Sequence, residues 1–312
     1  MKSVRLPNEG DQMFLTDAGF ETWMLFKEGF EMPHFAAFPL LRSTRARAAV
    51  REYFEPLFDL ARQHNAGFVL DTNTWRASPD WGPLLGFDPD DLAKINAEAV
   101  ESVKVLRDTM GHGVNTLING VVGPRGDGYD PKTIMTAQEA QDYHSFQIGV
   151  FARSKVDMIS ALTITNIPEA IGVANAAAEF GIPCVISFTL ETDGCLPTGE
   201  KLSDAIAQAD ANTIIKPAYY MINCAHPDHF SHIAAEGGGW INRLGGLRAN
   251  ASRMSHAELD NSEELDDGNP VELGQQYADM KAIFPAMNVF GGCCGTDHRH
   301  VAQICGALNP AT

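Results

Sequence analysis

The stretch NTLINGVVGPRGDGYDPKTIMTAQEAQDYHSFQIGVFARSKVDMISA, residues 115–161, contains the structural unit that the rest of the chain repeats. It opens with the apolar run NTLING (115–120) and closes with the apolar run VDMISA (156–161), and both are predicted to be buried strands. Between them, Thr136 and Glu139 form a capping box, which predicts that a helix begins at this point. A strand, a long helix and a second strand predict a parallel β-α-β unit.

The same alternation continues on both sides of this unit. Further apolar runs are predicted to be strands at 13–18, 67–72, 183–189, 219–223, 243–249 and 288–292. Eight such strands alternating with helices predict an α/β protein with a closed parallel (β/α)₈ TIM barrel, and an open doubly wound sheet is the alternative. No nucleotide-binding glycine motif follows a strand. We predict a single domain over residues 1–312, because no linker divides the chain.

Charge and composition restrict the possible partners. The chain has 40 acidic and 23 basic residues and a formal net charge of −17, so its surface repels nucleic acid and anionic membranes. Small molecules are therefore the expected partners, and homo-oligomers remain possible. No apolar run near the start resembles a signal peptide, which indicates a cytoplasmic, reducing location. The acidic run HAELDNSEELDDGNP (256–270) is predicted to be a solvated surface loop.

Three of the six cysteines directly follow predicted strands. Cys224 follows the sixth strand, and Cys293 and Cys294 follow the eighth in VFGGCCGTDHRH (289–300). Parallel barrel strands all end at one mouth, where active sites are built, so we expect the three thiols to meet there. The flanking glycines allow both adjacent cysteines to face one point. Three thiolates with one open position predict a catalytic Zn²⁺ site, because a structural site uses four protein ligands.

The cysteines also allow other interpretations. Cys293 and Cys294 would form a strained vicinal disulfide, which a reducing compartment disfavours, or they would be packing residues. Nearby histidines are His226, His298 and His300, and we expect at most a supporting role for them. A barrel metallohydrolase would need histidine and carboxylate ligands at several strand ends, which the chain does not offer. A non-catalytic zinc or thiol carrier would need a fourth ligand.

A zinc ion held by three thiolates is a poor Lewis acid but captures a further thiol well. Metal binding lowers the pKa of that thiol from about 8.5 and keeps it as the nucleophilic thiolate near neutral pH. The reaction that suits this chemistry is transfer of a methyl group from a cationic donor placed in line with the sulfur. The sequence therefore predicts a zinc-dependent S-methyltransferase.

The chain resembles the zinc-dependent homocysteine S-methyltransferases, which include betaine–homocysteine and S-methylmethionine–homocysteine methyltransferases. INC (222–224) and GGCCG (291–295) are similar to the segments that carry that family's three zinc ligands, and LTDAGFET (15–22) to its first-strand motif. The resemblance covers essentially the whole chain. It implies a (β/α)₈ fold, Zn²⁺, homocysteine as the thiol that becomes methionine, and contact of Asp17 with the amino acid. The donor, sulfonium or ammonium, stays open.

One position departs from the family pattern. After the fourth strand the family places a glutamate that holds the ammonium of homocysteine, whereas this chain has Leu162 before Thr163. A buried ammonium without an opposing charge is costly, so either Glu21 or Glu191 replaces the missing acid, or the acceptor is another thiol. Asn73 and Thr74 are predicted to bind the substrate carboxylate. The complete set of predicted substrate-binding residues is Asp17, Phe20, Glu21, Asn73, Thr74, Trp75, Glu191 and Asn223.

Overall fold

The computed structural model describes residues 5–129, 131–260, 262 and 264–309. Eight parallel strands pair in chain order, and the first pairs with the last, so the sheet closes into a barrel. The predicted (β/α)₈ TIM barrel is confirmed, and the open sheet is excluded. The strands are β1 (Phe14–Leu15), β2 (Gly67–Asp71), β3 (Thr116–Val122), β4 (Met158–Ile164), β5 (Cys184–Phe188), β6 (Tyr219–Asn223), β7 (Leu244–Ala249) and β8 (Val289–Gly292).

Helices surround the barrel, and their ends agree with the capping signals. Asp88 and Thr136 are N-caps, and the Thr136–Glu139 capping box forms. None of the described helices is long and apolar enough to cross a membrane. The helices are α1 (Phe20–Thr22), α2 (Thr44–Gln63), α3 (Trp81–Leu84), α4 (Pro89–Met110), α5 (Ala137–Ser154), α6 (Ile167–Glu179), α7 (Leu202–Asn212), α8 (Pro227–Phe230), α9 (His256–Asp260), α10 (Pro270–Ile283) and α11 (His298–Leu308).

Strand bounds differ from the predicted ones mainly in β1 and β4. The first strand has two residues instead of six, because the chain turns into α1 soon after it. The fourth strand extends three residues further than predicted, to Ile164. Its register with β5 shifts between Ala161 and Ile164, and Thr163 has a positive φ of 62°.

The interior of the barrel is built in two layers. The lower, apolar layer is a buried cluster of Phe14, Val69, Leu117, Met158, Val185, Tyr219, Met221 and Val289. Two residues further along five of these strands, as the period of a strand requires, buried polar side chains replace the apolar ones. This polar layer consists of Asp71, Asn119, Ser160, Ser187 and Asn223, with Arg248 from β7. It lies between the apolar layer and the mouth.

Candidate active site at the mouth of the barrel

The three predicted cysteines lie together at the C-terminal ends of their strands. Cys224 directly follows β6, and Cys293 and Cys294 directly follow β8. Their sulfur atoms all lie within 4.8 Å of one another. Cys224 is buried, and the other two are half-buried. The predicted convergence of the three thiols is therefore confirmed, and their arrangement leaves one side of the cluster facing the cavity described below.

Two of these thiols are also close enough to bond to each other. The sulfur atoms of Cys224 and Cys293 are in disulfide contact, with their Cα atoms 5.4 Å apart. Cys294 takes no part in this disulfide contact. The vicinal Cys293–Cys294 disulfide considered from the sequence does not form. The cluster therefore has two chemical states available to it: an oxidised pair, or three thiols that can bind a metal ion together.

Backbone contacts with neighbouring strands hold the cysteine segments in place. Cys224 N–H donates to the carbonyl of Arg248, and Cys293 N–H donates to the carbonyl of Ala249, at 3.1 and 2.9 Å. A Cβ atom on Gly291 would overlap the hydroxyl of Thr16, and one on Gly292 would overlap that of Thr296. Glycine is therefore required at both positions by close packing.

Asn223 connects the cysteines to the rest of the polar layer. Its amide nitrogen donates to the sulfur of Cys224 at 3.2 Å and to the hydroxyl of Thr163 at 2.8 Å, and lies 4.0 Å from the sulfur of Cys293. Its amide oxygen accepts from Ser187 at 2.6 Å. Asn223, which was predicted to bind substrate, lines the cavity, but its hydrogen bond holds the sulfur of Cys224 in position.

The cysteine cluster opens into a cavity of about 350 Å³. Glu21, Asn73, Trp75 and Leu162 line it together with the cysteines. The acidic side chains among its described lining residues are Asp17, Glu21, Asp71, Asp127, Glu264 and Asp266, and the basic ones are Arg76 and Arg248. Acids thus outnumber bases six to two, which favours a positively charged ligand.

Asp17 and Asp71 share one cation. The buried guanidinium of Arg248 forms an ion pair with each of them and also donates to the carbonyl of Gly292 at 3.3 Å. Asp71 also accepts from Asn119 at 2.6 Å. Burial raises the pKa of Asp17, although Arg248 opposes this effect. Asp17 was predicted to contact the substrate, but its carboxyl group forms an ion pair with Arg248.

Glu21 is different from these two acids. It lies in α1, is half-buried and faces the cavity. Glu21 takes part in none of the ion pairs between described residues. Burial raises the pKa of Glu21, while its own backbone hydrogen bond and the more distant Arg248 lower it. Of the two acids predicted to replace the family glutamate, Glu21 is the one in the cavity.

Aromatic rings form part of the cavity wall. Trp75 donates its indole N–H to the carbonyl of Leu162 at 3.1 Å, so its ring stands between β2 and β4. Tyr129 stacks on His256, with ring centroids 4.0 Å apart. Phe26 and Phe35 complete the aromatic set among the described lining residues. Rings of this kind attract cationic groups through their electron-rich faces.

Three residues predicted to bind substrate do not line the cavity. Phe20 is buried in the core against Tyr53, with ring centroids 5.1 Å apart, because α1 turns it away from the mouth. Thr74 is fully buried and donates to the carbonyl of Val121 at 2.8 Å. Glu191 bonds to the ring of His256 at 3.2 Å and lies outside the cavity lining.

Several residues of the site were not predicted from the sequence. Arg248 and Asp71 are charged residues inside otherwise apolar strands, and this pattern could have identified them as site residues. His256 contacts the carbonyl of Cys224 at 2.7 Å, although it begins the acidic run predicted to be a solvated loop. That prediction was wrong in part: His256 is buried, α9 forms, and Leu259 and Leu265 line the cavity. Residues 261 and 263 of the run lie outside the described residues.

Among the described residues, the histidines considered from the sequence, His226, His298 and His300, are not part of the cysteine cluster. His226 caps α8 through an N–H of Asp228 at 3.2 Å. His300 is buried and contacts the carbonyl of Asp267 at 2.8 Å. Among the residues that the structure describes, the possible metal ligands at the barrel mouth are the three cysteines. This set fits a catalytic zinc site, which keeps one position open.

Known proteins share both this sequence pattern and this fold. The sequence profile of the homocysteine S-methyltransferase family matches residues 16–308. The structure is similar to the oxidized form of the homocysteine methyltransferase MmuM from Escherichia coli, with a TM-score of 0.75 and 18% identity over 96% of this chain and 99% of that chain. The metallated form of that enzyme gives a TM-score of 0.73 and 18% identity over 96% and 97% of the two chains. The chain therefore belongs to the homocysteine S-methyltransferase family and is a methyltransferase that acts on homocysteine.

Proposed function

We propose that the enzyme is zinc-dependent and that Cys224, Cys293 and Cys294 hold the ion. The observation that carries this proposal is the meeting of three sulfur atoms within 4.8 Å at the inner wall of an acidic cavity. Asn223 and the backbone of β7 hold these sulfurs in position. Bound zinc would supply one chemical function, which is to bind the homocysteine thiol and lower its pKa.

The remaining residues support a cationic methyl donor. Six carboxyl groups and four aromatic rings line the cavity, a combination that attracts sulfonium and quaternary ammonium groups. The acceptor sulfur, after losing its proton to solvent, attacks the methyl carbon. The bond from that carbon to the donor sulfur or nitrogen breaks, and the donor leaves as a neutral thioether or amine. Homocysteine becomes methionine.

The chemistry also supports a cytoplasmic location. Three reduced thiols are needed to hold the metal, and Cys224 and Cys293 lie close enough to form a disulfide. A reducing compartment keeps such a pair in the thiol state. Small molecules are the proposed partners throughout, because both the acidic cavity and the net charge of −17 repel polyanions.

The test combines metal analysis with a matrix of substrates. Protein purified without chelator is analysed for zinc, and S-methylmethionine, betaine, S-adenosylmethionine and dimethylsulfoniopropionate are each incubated with homocysteine. We expect one zinc per chain and methionine from at least one donor, identified by mass. Chelation should abolish product formation, and added zinc should restore it. Full activity in metal-free protein would contradict the zinc proposal.

A further inference from the structure

The acids around the cavity are not equally available to a ligand. Asp17 and Asp71 form ion pairs with the same guanidinium, that of Arg248, and all three side chains are buried. An additional cation at that place would have to compete with a guanidinium that is already desolvated and hydrogen-bonded. These two acids are therefore poor candidates for binding a substrate ammonium.

The end of β4 offers no acid either. Leu162 lines the cavity with a buried, apolar side chain, and the next residue, Thr163, is bonded to Asn223 through both its N–H and its hydroxyl. A primary ammonium that is placed against this wall would lose its water without gaining a charged partner, which is unfavourable. The cation of the acceptor must be held from another side of the cavity.

Glu21 meets this requirement. Its carboxyl group lines the cavity, is half-buried and forms no ion pair with a described residue. A partly desolvated carboxylate without an ionic partner is itself unfavourable, so a ligand cation at this position would stabilise both charges. Arg248 and Arg76 act on Glu21 only as longer-range charges.

The position of α1 connects Glu21 with the acceptor. Gly19 N–H donates to the carbonyl of Thr296 at 3.0 Å, and Gly295 N–H donates to the hydroxyl of Thr22 at 3.1 Å. A Cβ atom on Gly19 would overlap the carbonyl oxygen of Cys293. The turn that carries Glu21 therefore packs directly against the segment that carries the cysteines.

We propose that Glu21 binds the α-ammonium group of homocysteine and thereby selects amino-acid thiols as acceptors. This inference rests on the proposed role of the cysteines, which places the acceptor sulfur next to α1. Glu21 would take no part in the methyl transfer itself. It would set the position of the acceptor, and its loss would appear in acceptor binding rather than in the reaction of a bound acceptor.

The experiment compares homocysteine with 4-mercaptobutanoate, which has the same thiol and carboxylate but no ammonium. In Glu21→Gln, kcat/KM for homocysteine should fall roughly 10- to 100-fold, as expected for the loss of a hydrogen bond between charged groups. The value for 4-mercaptobutanoate should stay within about twofold of its wild-type value. Glu55→Gln, which removes an exposed charge from α2, should change neither value.

Acceptor kinetics, the KM of the donor and calorimetric binding of the acceptors separate the possible outcomes. An equal loss with both acceptors, together with a higher KM for the donor, would show that Glu21 binds the donor cation and would overturn the proposal. Unchanged kinetics with both acceptors would overturn it as well. Calorimetric binding of the two acceptors to zinc-loaded protein, with zinc content measured for each variant, tests Glu21 even if no donor gives product. A selective loss of homocysteine binding would then support Glu21 although the proposed reaction had failed.

Discussion

The cysteine cluster and the Asp17–Arg248–Asp71 cluster lie in the same barrel mouth but are held together differently. The cysteines are positioned by backbone hydrogen bonds to β7 and by glycines that pack against neighbouring chain segments. The second cluster consists of three buried charges whose side chains hold one another in place. The cysteines can therefore be altered with little effect on folding, whereas each charge of the second cluster depends on its partners.

Removing one cysteine should have the largest effect on function and a small one on stability. In Cys224→Ser, Cys293→Ser or Cys294→Ser, we expect zinc binding and methyl transfer to be lost together, because a three-thiolate site cannot keep the ion with two. Elemental analysis and product mass measure the two losses. Cys195→Ser, outside the cluster, is the matched control and should keep both. A variant that retains full zinc content removes that cysteine from the ligand set.

Removing Arg248 should have a large effect on stability. Arg248→Met leaves Asp17 and Asp71 buried without a cation, which we expect to lower the free energy of unfolding by about 3–5 kcal/mol. Denaturant unfolding in the presence of chelator measures this change without the contribution of metal. The triple variant Asp17→Asn, Asp71→Asn and Arg248→Met should recover much of the loss. If Arg248→Met is as stable as the wild type, the proposed difference between the clusters is wrong.

Asn223 lies in the polar layer that also contains Asp71 and Arg248, and its side chain contacts the cysteines. Its removal should therefore have an intermediate effect. In Asn223→Ala the sulfur of Cys224 loses its amide donor, and Thr163 loses its partner. We expect zinc affinity to fall roughly 10- to 100-fold, as is typical for groups that orient metal ligands. Competition with a chromogenic chelator measures the affinity. A change in stability without a change in affinity would assign Asn223 to the polar layer alone.

The smallest effect concerns the helix that follows the second cysteine segment. Asp297 caps α11, and although burial opposes it, hydrogen bonds from His300 and Arg299 hold the pKa of Asp297 below its usual value. In the unfolded state the pKa of an aspartate is about 4. Because the pKa of Asp297 is lower in the folded state, its ionised carboxylate stabilises the folded protein above about pH 4, and this contribution is lost as the pH falls below that value. Asp297→Asn keeps a capping side chain but should make unfolding less sensitive to pH below about 4. Melting curves at pH 3–7 test this sign, and Asp297→Ala should cost about 1 kcal/mol at neutral pH.

The barrel and the cysteine cluster were predictable because their signals are local. Apolar runs mark the strands, and a cysteine directly after a strand must lie at the mouth of a parallel barrel. Glu21 was one of two acids proposed for the same task, and only its position in the cavity distinguishes it from Glu191. The partners of Arg248 lie 177 and 231 residues away, so only folding reveals them. Phe20 was misassigned because a turn as short as α1 gives no period from which its buried side could be read.

The apolar layer at the base of the barrel has a consequence for the sequence of events in turnover. It separates the cavity from the far end of the barrel, so protons, substrates and products share the route through the mouth. A donor resting above the acceptor would close that route. We therefore expect compulsory ordering, in which homocysteine enters and gives up its proton before the donor arrives, and in which methionine departs after the spent donor.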